Sequence, residues 1–164
     1  MRHNNKRRKR TLLMHNYLTT LRESFEEEMI NLTEPMTKAN KLVLVVEDFE
    51  DNRFMMRRLL EMAGYEVIEA TDGAEAMTVA AREHPALILM DLSLPRVDGL
   101  AATRQIRQHP ELSHVPIVAV SAHDSADFHA EALAAGCNDY VAKPIDFDQL
   151  DTLLARVLGN PTQS

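Results

Sequence analysis

The chain has little of what several classes of protein require. Cys137 is the single cysteine in 164 residues. An internal disulfide and a cysteine-rich metal site are therefore excluded, and a reducing, cytoplasmic setting is favoured. No apolar run approaches the length of a membrane span, so we expect no membrane insertion. Tryptophan is absent and aromatic residues are few, whereas aliphatic residues are plentiful. This composition predicts a helix-rich α/β domain with an aliphatic core.

Positive charge is also scarce over most of the chain. Residues 1–40 carry eight Lys and Arg and five Asp and Glu, a net charge of +3, and residues 41–164 carry ten and twenty, a net charge of −10. An acidic body argues against a broad nucleic-acid surface on the globular part of the protein. We therefore expect nucleic acid to be an unlikely partner.

Residues 1–40 differ from the rest and are interpreted as a basic N-terminal extension, disordered or partly helical. Six Lys and Arg side chains lie within residues 2–10. They could contact nucleic acid or lipid headgroups, but a solvated, disordered terminus is favoured because no fold frames the cluster. His15, Asn16 and Arg22 interrupt the apolar stretch, so a signal peptide fits poorly.

A weak helical pattern lies inside this extension. Leu13, Tyr17, Leu21 and Phe25 recur every four residues, which predicts a short amphipathic helix over residues 11–31. Such a helix could dock or dimerise, or it could fray, because isolated helices of this length are weakly stable in water. Met36 opens a segment that would serve as a shorter start of the chain.

From residue 41 onward, strand and helix patterns alternate. Five strand–helix units of similar length predict a flavodoxin-like α/β fold, a doubly wound parallel sheet with helices on both faces. The predicted elements are strands at 42–46, 66–70, 86–90, 116–120 and 139–142, and helices at 52–63, 73–83, 100–108, 125–135 and 147–158. The first helix is expected to bury Phe54, Met55, Leu59 and Met62, and the second Ala74, Met77 and Ala81. Residues 160–164 form a C-terminal tail.

Polar side chains stand where four of these strands end. Glu47 and Asp48 follow the first strand, Asp91 the third, Ser121 the fourth and Lys143 the fifth. The turn signals Pro95 and Asp98-Gly99 force the chain off the third strand. Because the carboxyl ends of parallel strands share one edge of a sheet, these side chains are expected to converge there.

Three neighbouring carboxylates favour a hard divalent cation. They repel one another by several kcal/mol at protein-like dielectric, and oxygen ligands with open water positions suit Mg²⁺. A lysine and a hydroxyl beside the metal make a site for a phosphoryl group. In such a site, Asp91 can act as the nucleophile and become an aspartyl-phosphate.

With these motifs, residues 41–159 resemble a response-regulator receiver domain of two-component signalling. The resemblance covers about three-quarters of the chain. It rests on the acidic pair Glu47-Asp48, on Asp91 in the run Met-Asp-Leu-Ser-Leu-Pro with Asp98-Gly99 behind it, on Ser121-Ala122, and on Tyr140 three residues before Lys143-Pro144.

The resemblance implies a strand order of 2-1-3-4-5 and a role for each site residue. Asp91 would be the phosphoacceptor. Asp48 and Asp91 would bind Mg²⁺ directly, Glu47 mostly through water, and the backbone carbonyl of Ser93 would complete the ligand set. Lys143 would pair with Asp91 and then with the phosphoryl group, and the Lys143–Pro144 peptide bond would be cis.

The resemblance also implies a switch and a set of partners. Ser121 would turn its hydroxyl toward the phosphoryl oxygens, and Tyr140 would rotate into the space that Ser121 leaves. The phosphoryl donor would be a sensor histidine kinase or a histidine phosphotransfer protein, and the protein would be a monomer or a phosphorylation-dependent dimer.

Our leading hypothesis is a stand-alone receiver that is not an enzyme in the usual sense, since it only accepts phosphate and loses it by hydrolysis. Nothing follows Ser164, so we expect output through a downstream protein target or onward phosphorelay. One alternative is a phosphoaspartyl hydrolase of the haloacid-dehalogenase kind. That enzyme would need a second acid at the position of Ser93 and a cap domain. Another alternative is a nucleic-acid-associated regulator that acts through the basic extension.

Overall fold

The computed structural model describes residues 41–94 and 98–159. Their five strands form one parallel sheet in the order β2-β1-β3-β4-β5, which confirms the predicted fold and strand order. The strands are β1 (Leu42–Val46), β2 (Glu66–Ala70), β3 (Leu87–Asp91), β4 (Ile117–Ser121) and β5 (Asp139–Ala142). Two of them, β3 and β4, begin and end one residue later than the sequence pattern predicts, so that Asp91 and Ser121 are the last residues of their strands.

Five helices connect and follow these strands. They are α1 (Glu50–Met62), α2 (Gly73–Glu83), α3 (Gly99–Gln108), α4 (Ala126–Ala135) and α5 (Phe147–Leu158). Four begin at a side chain that accepts a hydrogen bond from an amide of the first turn: Asp72, Asp98, Ser125 and Asp146. The first helix begins after Phe49, which provides no such cap.

The sheet separates two apolar clusters. Val43, Val45, Leu87 and Leu89 face α1 and α5, whose buried residues are Leu60, Leu150, Leu153 and Leu154. The alternate strand residues Leu44, Ile88 and Met90 face the small residues of α2, α3 and α4, among them Ala76, Ala80, Ala102 and Ala132. Helices cover both faces, so the carboxyl edge of the sheet is where polar strand ends can gather.

The predicted buried face of α1 is wrong in three of its four residues. Phe54, Met55 and Met62 are exposed by 50%, 57% and 70%, whereas Leu60 is fully buried. The stripe that packs on the sheet is Met56, Leu59, Leu60 and Ala63. Both stripes have helical spacing, and the helix begins two residues earlier than expected, so the sequence pattern alone did not distinguish them.

The predicted inner face of α2 is wrong at one position. Ala74 is exposed, and the fully buried residues of this helix are Ala76 and Ala80. Met77 and Ala81 are partly buried against the same cluster. A helix of small residues has a weak amphipathic pattern, which leaves its rotation poorly determined by sequence.

Several sequence-based interpretations lie outside the described residues. They concern the extension 1–40 with its basic cluster and its predicted helix, the turn residue Pro95, and the tail 160–164. Among the described helices, none combines the length and apolarity that a membrane span requires.

Candidate functional site

Three carboxylates meet at the carboxyl edge of the sheet. Glu47 and Asp48 leave the end of β1, and Asp91 is the last residue of the neighbouring β3. One oxygen from each lies within 4.8 Å of the others. Glu47 and Asp91 are buried, at 4% exposure each, whereas Asp48 is exposed. Such an arrangement is electrostatically unfavourable without a positive charge.

Lys143, which follows β5, places a positive charge beside two of the carboxylates. Its ammonium donates to Asp91 Oδ2 at 3.0 Å and also to Glu47 Oε2. The Lys143 amide donates to the Ser121 carbonyl at 2.8 Å, so the end of β4 holds the backbone of this residue. The peptide bond between Lys143 and Pro144 is cis.

Lys143 and Glu47 affect the ionisation of each other. Burial acts to lower the pKa of Lys143, but the hydrogen bonds to Glu47 and Asp91 outweigh it, and the net pKa is raised. Burial raises the pKa of Glu47, although the hydrogen bonds from Lys143 and from the Phe49 amide oppose that shift. One ammonium shared by two carboxylates therefore leaves the burial of Glu47 only partly compensated.

Backbone amides fix the orientation of both buried carboxylates. The Ser93 amide donates to Asp91 Oδ1 at 2.8 Å, and the Phe49 amide donates to Glu47 Oε1 at 3.1 Å. Because Oδ2 of Asp91 contacts Lys143, each oxygen of this carboxylate already has a donor. The role of the Ser93 carbonyl as a metal ligand stays a prediction.

Ser121 lies beside this cluster, at the end of β4. It is fully buried, and its hydroxyl accepts a hydrogen bond from the His123 amide at 3.1 Å. Tyr140 lies on the adjacent β5, with its ring centroid 3.9 Å from that of His129. The Tyr140 hydroxyl is buried and has no hydrogen-bond partner among the described residues, so its position is set by packing.

Two contributions to this site escaped the sequence analysis. A Cβ added to Gly99 would lie 2.1 Å from the Asp91 carbonyl oxygen, so the start of α3 touches the backbone of Asp91. The sequence marks Asp98-Gly99 as a turn signal and as part of the receiver resemblance, but it does not predict this contact. The second contribution is Arg53 of α1, whose guanidinium donates to the backbone carbonyls of Glu47 and Asp48. The sequence does not predict either contact: that of Gly99 depends on α3 meeting the end of β3, and that of Arg53 on the direction in which its side chain points from α1.

The donor set fits a hard divalent cation. Three carboxylate oxygens within 4.8 Å of one another, one of them exposed to solvent, are the ligands that Mg²⁺ prefers, and open positions remain for water. The cluster contains neither histidine nor cysteine, and this disfavours zinc and other softer metals at these residues.

A family model described as the response regulator receiver domain matches residues 43–155. The chain belongs to the response regulator receiver family. This receiver domain acts in two-component signalling as a switch. Membership favours that role over the haloacid-dehalogenase alternative.

Similar proteins agree with this assignment. The polar-differentiation response regulator DivK of Brucella ovis is 38% identical over 120 residues, which are 73% of this chain and 98% of DivK. The chemotaxis protein CheY4 of Vibrio cholerae is 30% identical with a TM-score of 0.70, and the match covers 73% of this chain and 99% of CheY4.

A second similar solved structure contains a metal. The receiver domain of the sensor histidine kinase PA1611 from Pseudomonas aeruginosa is 38% identical with a TM-score of 0.70, over 74% of this chain and all of that domain. Magnesium is coordinated in the active-site cleft of that domain.

Proposed function

We propose that this receiver takes a phosphoryl group onto Asp91 in a Mg²⁺-dependent reaction. The donor is the phosphohistidine of a sensor histidine kinase or of a histidine phosphotransfer protein. The observation that carries the proposal is the placement of Asp91, which is buried, lies within 4.8 Å of two further carboxylates and contacts Lys143. The phosphorylated form signals through protein contacts or passes the group onward.

Each residue of the site has a definite task in this transfer. An oxygen of Asp91 forms the new bond to phosphorus while the bond between phosphorus and the donor imidazole nitrogen breaks, and its electron pair stays on that nitrogen. Asp48 and Asp91, with Glu47 and the Ser93 carbonyl, would hold the Mg²⁺. The bound ion supplies neutralisation of the charge on the phosphoryl oxygens. Lys143 exchanges its contact with Asp91 for one with the phosphoryl group.

A groove beside the site supports the approach of a protein donor. It has a volume of about 430 Å³ and opens next to Glu47 and Lys143. Its walls include the α1 side chains Met55, Met56 and Leu59. A polar mouth with flexible methionine walls suits contact with a partner protein that brings its phosphohistidine to the carboxyl edge.

Ser121 and Tyr140 would couple the charge of the phosphoryl group to the shape of the α4–β5–α5 surface. The Ser121 hydroxyl now accepts from the His123 amide, and in the phosphorylated form it would donate to a phosphoryl oxygen. Within the described ranges the Tyr140 hydroxyl has no hydrogen-bond partner, so a change of rotamer would break no hydrogen bond of that hydroxyl. Phosphorylation would then shift the population between two packings of the α4–β5–α5 surface.

The test is labelling of the purified protein by a small phosphodonor, acetyl phosphate, with and without Mg²⁺. The wild type is expected to gain one acid-stable, base-labile phosphoryl group only when Mg²⁺ is present. Asp91→Asn should abolish the label, and Asp98→Asn, at an exposed helix cap nearby, should retain it. Label on Asp91→Asn would refute the assignment. Ring resonances of Tyr140 that do not move on phosphorylation would refute the switch.

A further inference from the structure

Arg53 connects the acidic pair to the rest of the domain. Its Nη1 donates to the Glu47 carbonyl at 3.0 Å and reaches the Asp48 carbonyl at 3.4 Å. The Arg53 amide donates to the Phe49 carbonyl at 3.0 Å. Side chain and backbone of one residue thus hold three consecutive carbonyls, those of the segment that carries Glu47 and Asp48.

A partner on the neighbouring strand holds the guanidinium in place. Glu69 Oε2 of β2 forms an ion pair with Arg53 Nε at 3.5 Å, and the Arg53 side chain is only 16% exposed. Glu69 pairs in register with Val45, two residues before Glu47. The link from β2 through Arg53 to the end of β1 is therefore short and largely shielded from water.

We infer that Arg53 is a positioning residue that presets the Glu47-Asp48 segment for Mg²⁺. The inference rests on the proposed function, because it assumes that these carboxylates hold the metal. Residues that orient metal ligands commonly change metal affinity by about 10- to 100-fold when they are replaced. With the carbonyls tethered, the chain loses less conformational freedom when the metal binds.

Charge and positioning predict opposite effects, which makes the inference testable. Arg53 is a cation near a cation site, so its removal should strengthen Mg²⁺ binding if Coulomb repulsion were its main effect. If it acts by positioning, its removal should weaken binding although the site becomes more negative. Arg57 is the matched control. It also pairs with Glu69, at 3.4 Å, and contacts Glu61, but within the described part of the chain it makes no hydrogen bond to these carbonyls.

The experiment measures Mg²⁺ binding by calorimetry without any phosphodonor. Arg53→Gln is expected to weaken Mg²⁺ affinity about 10-fold, whereas Arg57→Gln should leave it unchanged or slightly stronger. In the metal-free protein, hydrogen exchange of the Phe49 amide, which donates to Glu47 Oε1, should be faster in Arg53→Gln. Arg53→Lys, which keeps the charge and one donor group, should be intermediate.

A second measurement separates positioning from general damage. In acetyl phosphate labelling, Arg53→Gln should raise the Mg²⁺ concentration for half-maximal rate about 10-fold while the rate at saturating Mg²⁺ stays close to that of the wild type. A lower maximal rate with an unchanged half-maximal Mg²⁺ concentration in Arg53→Gln would overturn the inference. So would equal Mg²⁺ affinities of Arg53→Gln and Arg57→Gln.

The inference and the proposed function fail in different ways. Wild-type protein that is labelled on Asp91, with an Arg53→Gln variant that binds Mg²⁺ normally, contradicts only the role of Arg53. Wild-type protein that binds Mg²⁺ but takes no label contradicts the proposed function, and the calorimetric contrast then still decides about Arg53. Wild-type protein that binds no Mg²⁺ overturns both.

Discussion

At the scale of single residues, the site is organised around one cation and two buried carboxylates. Lys143 contacts Glu47 and Asp91 together, so the two acids share one cationic partner. The raised pKa of Lys143 keeps its ammonium protonated at neutral pH. The contact between Lys143 and Asp91 explains how the apo protein tolerates buried negative charge, and it places a positive charge where the proposed phosphoryl group would arrive.

Gly99 permits a backbone contact that no other residue type allows. A Cβ there would overlap the Asp91 carbonyl oxygen and approach Leu92 Cα to 2.8 Å. Both obstacles are backbone atoms, so Gly99→Ala must displace the end of β3. We expect Gly99→Ala to lower the free energy of unfolding by about 2 kcal/mol, within the range for overpacking, and to slow labelling of Asp91 by acetyl phosphate.

The control for this variant lies in the same helical turn. Ala101→Gly should cost no more than about 1 kcal/mol, through helix propensity, and should be labelled at the wild-type rate. Urea unfolding and labelling are measured on both proteins. If Gly99→Ala is labelled as fast as the wild type, the close approach does not matter for the position of Asp91.

At the scale of elements, the side of a helix that faces the core was harder to predict than its existence. Alternation of apolar and polar segments located every strand and helix of the described residues to within two residues. The rotation of α1 depends on which of two overlapping apolar stripes meets the sheet, and Leu59 belongs to both. Tertiary packing decides that choice. The rejected stripe leaves Phe54, Met55 and Met62 exposed on the outer side of the helix.

Two substitutions on α1 test which stripe supports the fold. Leu60 is fully buried, whereas Met62 is 70% exposed. Leu60→Ala should lower the free energy of unfolding by about 2–5 kcal/mol, the range for a buried leucine that leaves a cavity. Met62→Ala should change it by less than about 0.5 kcal/mol. Urea denaturation measures both, and similar losses would contradict the observed rotation of α1.

At the scale of the whole molecule, the strand order explains why the sequence was so informative about the site. Parallel strands in the order 2-1-3-4-5 bring the ends of β1, β3, β4 and β5 to one edge. The positions of the strand ends in the sequence are therefore sufficient to predict that Glu47, Asp91 and Lys143 meet. Their proposed chemistry stays a prediction until phosphorylation is measured.

Hydrogen bonds that join loops could not be predicted from the strand ends. Arg107 of α3 donates to the Val115 and Gly136 carbonyls and to the Asn138 side chain, and so joins the segments before β4 and β5. Its partners lie 8 to 31 residues away, and none of them is marked by periodicity or composition. Contacts of this kind follow from the fold and are visible only once it is known.

The free energy of unfolding should depend on pH because Glu47 of the acidic cluster is buried. Glu47 has a pKa raised above its ordinary value of 4.5, chiefly by burial. The native state therefore binds this proton more tightly than the unfolded chain does, and stability from this group falls as pH rises through the window above 4.5. Lys143, whose pKa is raised above 10.5, contributes fully throughout that window and loses its contribution only at higher pH.

Urea unfolding of the wild type and of Glu47→Gln between pH 4.5 and 8, in EDTA, isolates this effect. The stability of the wild type relative to Glu47→Gln should decrease as pH rises, by about 1.4 kcal/mol for each unit by which the pKa is raised. Glu75→Gln is the control, because the pKa of Glu75 is shifted in the opposite direction from that of Glu47. Hydrogen bonds from the Thr71 amide and hydroxyl lower it. Its contribution is present above 4.5 and is lost only in stronger acid. A wild-type advantage over Glu47→Gln that grows with pH would mean that Lys143 compensates the buried carboxylate fully, and that Glu47 stabilises the apo fold.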